Sequence, residues 1–281
     1  VCSAESSQSA ANLRAYIHSF DPLVGAGSFR MEINFALNYP RACADQGDTN
    51  CPPTAANDRT AEWRPWNPNW PQPDNEAQVQ PEPLLTDIVF DNQNMILGFR
   101  DRFGDRTGFQ QPGPFDLAST TLVNGITAGE ILRVCRNPAT NAWELENNGT
   151  CGGITTTGAG NNEGPGGGEY YYHDRNNPIG QRRHDEISLG GLVDIPGSTE
   201  VAMTAFDPLC ENGCGASDPL FDAGVVWLNN ETGERVRSYR IFDGGGAPVT
   251  DPTFGKANGL GDLEAVCGPA PLEIGNRVWE D

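Results

Sequence analysis

Apolar and polar residues alternate in short runs along this chain, and the runs come in pairs separated by turn formers. Residues 13–20 (Leu-Arg-Ala-Tyr-Ile-His-Ser-Phe) and 29–35 (Phe-Arg-Met-Glu-Ile-Asn-Phe) flank Asp21-Pro22 and a glycine turn. Residues 130–135 and 142–146 flank Asn137-Pro138, and residues 224–229 and 235–242 flank Asn230-Glu231-Thr232-Gly233. Such period-two alternation about Asn, Gly and Pro predicts antiparallel hairpins. A second hairpin precedes two of these. Residues 86–91 pass through Asn92-Gln93-Asn94 into 95–101, and residues 185–194 pass through Pro196-Gly197-Ser198 into 201–207. Residues 261–266 begin in the same way, with an acidic residue ahead of an apolar run, and then stop.

Two hairpins in succession make a four-stranded antiparallel sheet, and sheets repeated in this way are the blades of a β-propeller. The fold class read from the pattern is therefore all-β, a propeller-like array of four-stranded blades; tandem β-sandwiches are the alternative. The repeat interval is longer than a compact blade of ~40–45 residues. Insertions account for the excess, namely 43–83, with Trp63, Trp66 and Trp70 among prolines, and the glycine-rich stretch 152–168. The first unit lacks an opening strand, and residues 262–266 offer a spare one. Pairing them would close the wheel end to end, and Cys2 with Cys267 would staple it. Three blades are too few for a wheel, so earlier blades are expected upstream of Val1. This reading sets a propeller-like domain at 1–268 and a proline-containing linker with the start of a further module at 269–281.

Composition narrows the setting. The chain has 281 residues, long enough for a sizeable core, and is 37% hydrophobic. Gly (34) and Pro (22) make up about a fifth of it, as short strands joined by long turn-rich loops require. The net charge of −20 disfavours phosphate backbones and anionic lipid as partners, and it supplies hard oxygen ligands. The eight cysteines show no zinc or redox spacing and fall into local pairs, Cys43 with Cys51, Cys135 with Cys151 and Cys210 with Cys214, leaving Cys2 with Cys267. Four disulfides in an oxidising compartment is the economical account, although eight cysteines allow 105 pairings. No run approaches the ~20 apolar residues of a membrane span, so no membrane insertion is expected in this segment. The chain begins at Val1 without a methionine, which reads as a processed or truncated end. Sequons at Asn148 and Asn230 suit surface loops.

The closing residues 274–281, Ile-Gly-Asn-Arg-Val-Trp-Glu-Asp, resemble the first strand of an SdrD B-like repeat, a small calcium-binding β-sandwich of bacterial cell-surface proteins. The segments 95–105, 184–192 and 256–264 resemble the propeller-like region that precedes such repeats, a likeness covering most of residues 84–281 and only loosely 1–83. It implies an extracellular location on a bacterial cell surface and a head-and-stalk architecture. It implies no reaction. On the same resemblance Asp281, at the end of its strand, is a first calcium ligand.

Several residues carry candidate chemistry. Asp101 and Asp105, in Arg-Asp-Arg-Phe-Gly-Asp-Arg-Thr-Gly, suit a calcium loop or an ion-pair network with Arg100, Arg102 and Arg106. Asp87, Glu186 and Asp262 hold matching places at strand starts and would converge in a propeller channel, where crowded carboxylates demand a cation or shifted pKa values. Tyr171 and His173, in the polar-aromatic run 170–174, and the tryptophans 63, 66 and 70 are candidate contacts to a ligand or partner. No nucleophile elbow or phosphate loop appears.

These signals together predict a non-enzymatic extracellular structural or adhesive protein, the head module of a repeat-containing surface, sheath or filament protein, with calcium as the one expected cofactor. Its partners would be other surface-protein subunits or extracellular glycan. A secreted glycan-acting hydrolase or lyase, or a lectin-like module using the tryptophan loop, is the alternative.

Overall fold

A computed structural model describes residues 9–44, 53–55, 58–59, 62–70, 77–175, 184–195, 197–209, 222–242 and 259–266. In chain order the strands are β1 (Arg14–Ser19), β2 (Arg30–Ala36), β3 (Pro53–Ala55), β4 (Asp58–Arg59), β5 (Ala77–Gln78), β6 (Pro83–Asp91) and β7 (Asn94–Asp101). A short helix, α1 (Arg102–Thr107), precedes β8 (Phe109–Pro112), β9 (Leu122–Gly125), β10 (Glu130–Arg136), β11 (Trp143–Leu145), β12 (Thr150–Cys151) and β13 (Ile154–Thr155). The last four are β14 (Ser188–Asp194), β15 (Glu200–Phe206), β16 (Ala223–Asn229) and β17 (Arg235–Phe242).

The predicted hairpins form and join as their alternation requires. β6 and β7 pair antiparallel, with Ile88 opposite Leu97 and Asn92 at φ +55 in the turn. β7 then pairs with β10, and β10 with β11, giving one sheet in the order β11-β10-β7-β6. A second four-stranded sheet runs β14-β15-β16-β17, every neighbour antiparallel. The β1–β2 hairpin stands as a two-stranded sheet. The all-β class is as expected, and both complete four-stranded meanders are present. Among the described residues no sheet closes on itself.

The β6–β7–β10–β11 sheet is the middle of three layers, because alternate residues of its inner strands point to opposite faces. Met95, Leu97, Phe99, Leu132 and Val134 pack with Leu13, Ala15, Ile17, Phe35 and Trp63 on one side. Ile96 and Ile131 pack with Leu189, Leu192, Val201, Met203 and Val226 on the other. Each such side chain contributes roughly 2 kcal/mol by leaving water. Two glycines let the second and middle sheets touch. A Cβ on Gly98 would sit 2.5 Å from the Gly190 carbonyl oxygen, and Gly190 itself has φ +82, where β14 bulges away from β15.

The expected closure is not formed. Residues 259–266 make no strand; they lie beside the second and middle sheets, with the Leu260 carbonyl accepting from Arg100 Nη1 at 2.6 Å. β1, which they were expected to pair with, has β2 as its partner. The disulfide Cys135–Cys151 is present with Cα atoms 5.7 Å apart, tying β10 to β12. Cys43 is disulfide-bonded. Its expected partner Cys51 lies outside the described residues, as do Cys2, Cys210, Cys214, Cys267 and the segment ending at Asp281.

Candidate functional site

The polar centre of the molecule is built around one arginine. After β2 the chain runs beneath the middle layer and places Tyr39 and Arg41 in the interior. Arg41 Nε donates to Glu130 Oε2 at 2.9 Å, and its Nη2 donates to the Ala128 and Gly129 carbonyls at 2.9 Å and to Glu186 Oε2 at 3.1 Å. Its guanidinium plane lies 3.6 Å from the Trp63 ring centroid. Glu130 Oε2 also accepts from Tyr39 Oη and Trp63 Nε1, each at 2.9 Å, and Glu186 Oε1 accepts from the Ala42 N–H at 3.1 Å. A planar, multidentate cation is the side chain suited to so many acceptors at once. Arg41 thereby links the end of the first layer, the start of β10 and the residues leading into β14. Burial works against its charge, and Glu186 and Glu130 outweigh that and raise its pKa.

A cluster of carboxylates surrounds this arginine. Glu169 and Asp174 flank the run Tyr170-Tyr171-Tyr172-His173, and the tyrosines draw them inward. Tyr170 and Tyr171 are buried, donating to the Asn230 carbonyl and to Asn230 Oδ1, each at 2.8 Å. One oxygen each from Glu169, Asp174 and Glu186 lies within 4.8 Å of the others. Among the described residues Glu169 Oε1, Asp174 Oδ2 and Glu130 Oε1 meet no hydrogen-bond donor. Burial pushes all of these acids up, and for Glu169 and Asp174 neighbouring acids push further, whereas Arg41, Tyr39 and Trp63 pull Glu130 back. Asp174 rises to about 8, with Asp185 and Glu130 adding to burial. Glu169 rises well above the carboxylate range through burial, then Asp174 and Glu186. Glu186 also rises well above it through burial, despite the opposing pull of Arg41. Glu186 has φ +58, a backbone conformation that only a surrounding frame enforces on such a residue. An all-carboxylate set of this kind can hold a hard divalent cation.

The structure divides the residues expected to converge. Asp87 and Asp262 do meet, hydrogen-bonded to one another, and Asp87 is pushed up to about 6 by burial and by Asp262. Glu186 is not with them; it belongs to the Arg41 centre. Asp101 and Asp105 turn to different partners. Asp101 Oδ1 caps α1 by accepting from the Phe103 N–H at 2.8 Å, also accepts from the Glu82 N–H at 2.8 Å, and its Oδ2 accepts from the Ala128 N–H at 3.0 Å. Asp105 ion-pairs with Arg100 at 2.9 Å, whereas Arg102 and Arg106 pair with Glu82.

The expected ligand-contact residues are occupied by the fold. Trp63 is 1% exposed and Tyr171 is fully buried, its hydroxyl accepting from Arg133 Nη1 at 2.8 Å. Trp66 and Trp70 are half-buried beneath Arg102 and Arg106, at 4.7 and 5.7 Å from ring centroid to guanidinium. His173 packs its ring at a tilt against Tyr172, with centroids 4.3 Å apart, and burial with Arg175 and Arg235 lowers its pKa to about 4, so it is neutral at physiological pH. Asn230, read as a surface sequon, is buried with its side chain bonded to Tyr171 and Asp194. Asn148 is exposed.

Sequence reasoning did not single out Arg41, Glu130, Glu169 or Asp174 as a group. Three consecutive tyrosines just after the glycine-rich stretch were the available signal: a run that apolar is buried, and it takes the acids at its two ends with it.

No protein-family model matches the chain, and no solved structure matches it. It is similar to several proteins of Dictyostelium discoideum. Colossin-A is 31% identical over 276 residues, which is 96% of this chain and 2% of that protein. Colossin-B is 30% identical over 262 residues, 90% of this chain and 6% of that protein. Colossin-C is 25% identical over 287 residues, covering 100% of this chain and 24% of that protein. The chain thus spans a small share of the length of the curated relatives it matches. These relatives lend no support to a bacterial surface as its location.

Proposed function

We propose that this chain is a non-catalytic extracellular structural module, a propeller-like unit within a much longer surface or matrix protein. The observation that carries this reading is where the chemistry sits. Arg41, Glu130, Glu186, Trp63 and Tyr171, the groups with most reactive or binding potential, are buried and bonded to backbone and side chains of different layers. Their work is to hold layers together. Face-to-face four-stranded meanders are the repeating unit of propellers, and a disulfide belongs in an oxidising compartment. Similarity along nearly the whole chain to a small part of Colossin-A and Colossin-B supports a module set in a very large protein. Its partners are other protein subunits, since a net charge of −20 repels nucleic acid. Residues 269–281 lead into a following module, as the likeness to an SdrD B-like repeat implies.

The test uses the full-length protein carrying an epitope tag beside this module. A membrane-impermeant antibody is expected to reach the tag on intact cells or in the medium, with Cys135 and Cys151 oxidised. A tag reached only after permeabilisation, with both thiols free, overturns the extracellular reading. Hydrolysis of any member of a glycan panel by the purified chain, lost on replacing one exposed carboxylate, overturns the non-catalytic reading.

A further inference from the structure

We propose that Glu169, Asp174 and Glu186, with Glu130 beside them, form a divalent cation site, and that calcium is the ion it takes. The geometry comes first. At Ca–O distances of about 2.4 Å, two oxygens on opposite sides of an ion lie about 4.8 Å apart. The three ligand oxygens lie within 4.8 Å of one another, so a single coordination sphere spans them.

Proximity among acids would carry little alone, since carboxylates crowd many surfaces. This cluster is buried, and Glu169 Oε1 and Asp174 Oδ2 meet no donor among the described residues. Glu130 supplies the independent sign. Its Oε2 is saturated by Tyr39, Arg41 and Trp63, yet its Oε1, equally hidden from water, meets no donor among the described residues. Glu130 shares Arg41 with Glu186, and its charge opposes ionisation of Glu169, Asp174 and Glu186 alike. Buried carboxylate oxygens normally find donors, and among the described residues the one guanidinium of this centre, whose Nη1 is also without a partner, leaves Glu169 Oε1, Asp174 Oδ2 and Glu130 Oε1 unmet.

Charge leads to the same place. Buried among the described residues are twelve carboxylates against three arginines. Arg41 is the arginine of this centre, and Glu130 and Glu186 already engage its Nε and Nη2. No ion pair among the described residues reaches Glu169 or Asp174. The donor set consists of hard oxygens alone; His184, two residues from Glu186, instead faces the Ala44 carbonyl and Asp207. Soft-ligand metals are thereby disfavoured. Magnesium prefers to keep several waters, whereas calcium accepts many carboxylate oxygens in flexible geometry. The choice of calcium also rests on the extracellular reading above, where that ion is abundant. The ligands come from the segment that follows the glycine-rich insertion (Glu169, Asp174), the entry to β14 (Glu186) and the start of β10 (Glu130), so the ion would join that segment to both four-stranded sheets.

The chain, residues 1–281, is purified without chelator and its metal content measured by mass spectrometry. It is then stripped with EGTA and titrated with CaCl2 or with Tb3+, whose luminescence Tyr170 and Tyr171 would sensitise. About one calcium per chain is expected, with Tm rising by about 5 °C at a free concentration roughly 100-fold above Kd. Glu169→Gln and Asp174→Asn should each abolish that rise and the sensitised Tb3+ signal, and Asp105→Asn should leave both unchanged. A wild-type chain without bound calcium, whose Tm is the same in EGTA and in millimolar CaCl2, overturns the proposal even if the variants fail to fold. So does a calcium response that survives in Glu169→Gln and Asp174→Asn. A secreted, oxidised chain that binds no calcium would remove this site and leave the structural role standing. An intracellular, reduced chain that binds it would do the reverse.

Discussion

Asp101 and Asp174 are equally hidden from water, at 0% and 2% exposure, and differ in almost everything around them. Burial is the main force on both, raising Asp101 to about 7 and Asp174 to about 8. The second influence separates them. Around Asp101 it is the N–H groups of Glu82 and Phe103, followed by the Arg41 charge, all favouring the anion. Around Asp174 it is Asp185, Glu130 and Glu163, all opposing it. Donors converge on the first acid and make it part of the frame. Acids converge on the second and leave it dependent on something from outside. Burial alone does not distinguish a structural carboxylate from a binding one; the sign of the next neighbour does.

The largest expected effect comes from the residue that serves both regions. Arg41→Met strands Glu130 and Glu186 in the interior and should cost about 3–5 kcal/mol in urea unfolding. A mild effect would mean that the two acids are already neutral there, and the contrast with Asp101 would lose its basis. Cys151→Ser opens the staple at the head of the loop that carries Glu169 and Asp174. It should lower stability by about 3 kcal/mol and weaken the calcium response as well.

Asp101→Ala orphans three backbone N–H groups and should cost about 2–3 kcal/mol, to the same extent with calcium or with chelator. Asp174→Asn should cost little in chelator, because Asp174 Oδ2 meets no donor there and the acid, with a pKa of about 8, is already largely neutral. If the two substitutions are equally damaging in chelator, the distinction between them fails. A small pH-dependent effect is expected at Asp87, half-buried against Asp262. Its folded pKa of about 6 lies above the ordinary 3.8, so its contribution to stability is present below about pH 4 and is lost as pH rises through 6. Asp262→Asn should flatten that loss by less than about 1 kcal/mol, seen as Tm followed from pH 4 to 7.

The layered frame was legible because its signal is local. Alternation in residues 86–101 with Asn92 in the turn is enough to define β6 and β7, and the repetition of paired hairpins is enough to join them into four-stranded sheets. The small sheet β5-β9-β8 was not legible. Two residues at 77–78 pair parallel with Asn124 and Gly125, and no short-range pattern encodes that contact. The carboxylate centre was half visible. Glu186 stood out by its place before an apolar run, and that same criterion grouped it with Asp87 and Asp262, which lie elsewhere. Its true companions come from a segment whose path follows from the burial of Tyr170 and Tyr171, a tertiary event. The tryptophans misled for a similar reason. Their spacing among prolines suits an exposed stacking platform, and only the positions of Arg41, Arg102 and Arg106 show that those faces are taken.

The Cys135–Cys151 bridge has a consequence for a chain placed under tension. Force entering along β10 passes through the sulfur bridge directly to Gly152, so β11 and the turn before it lie off the load path. The bridge spans 16 positions in sequence while its Cα atoms stay 5.7 Å apart, and it therefore withholds roughly 50 Å of contour from any extension. Reduction would release that length as a discrete step in a pulling trace.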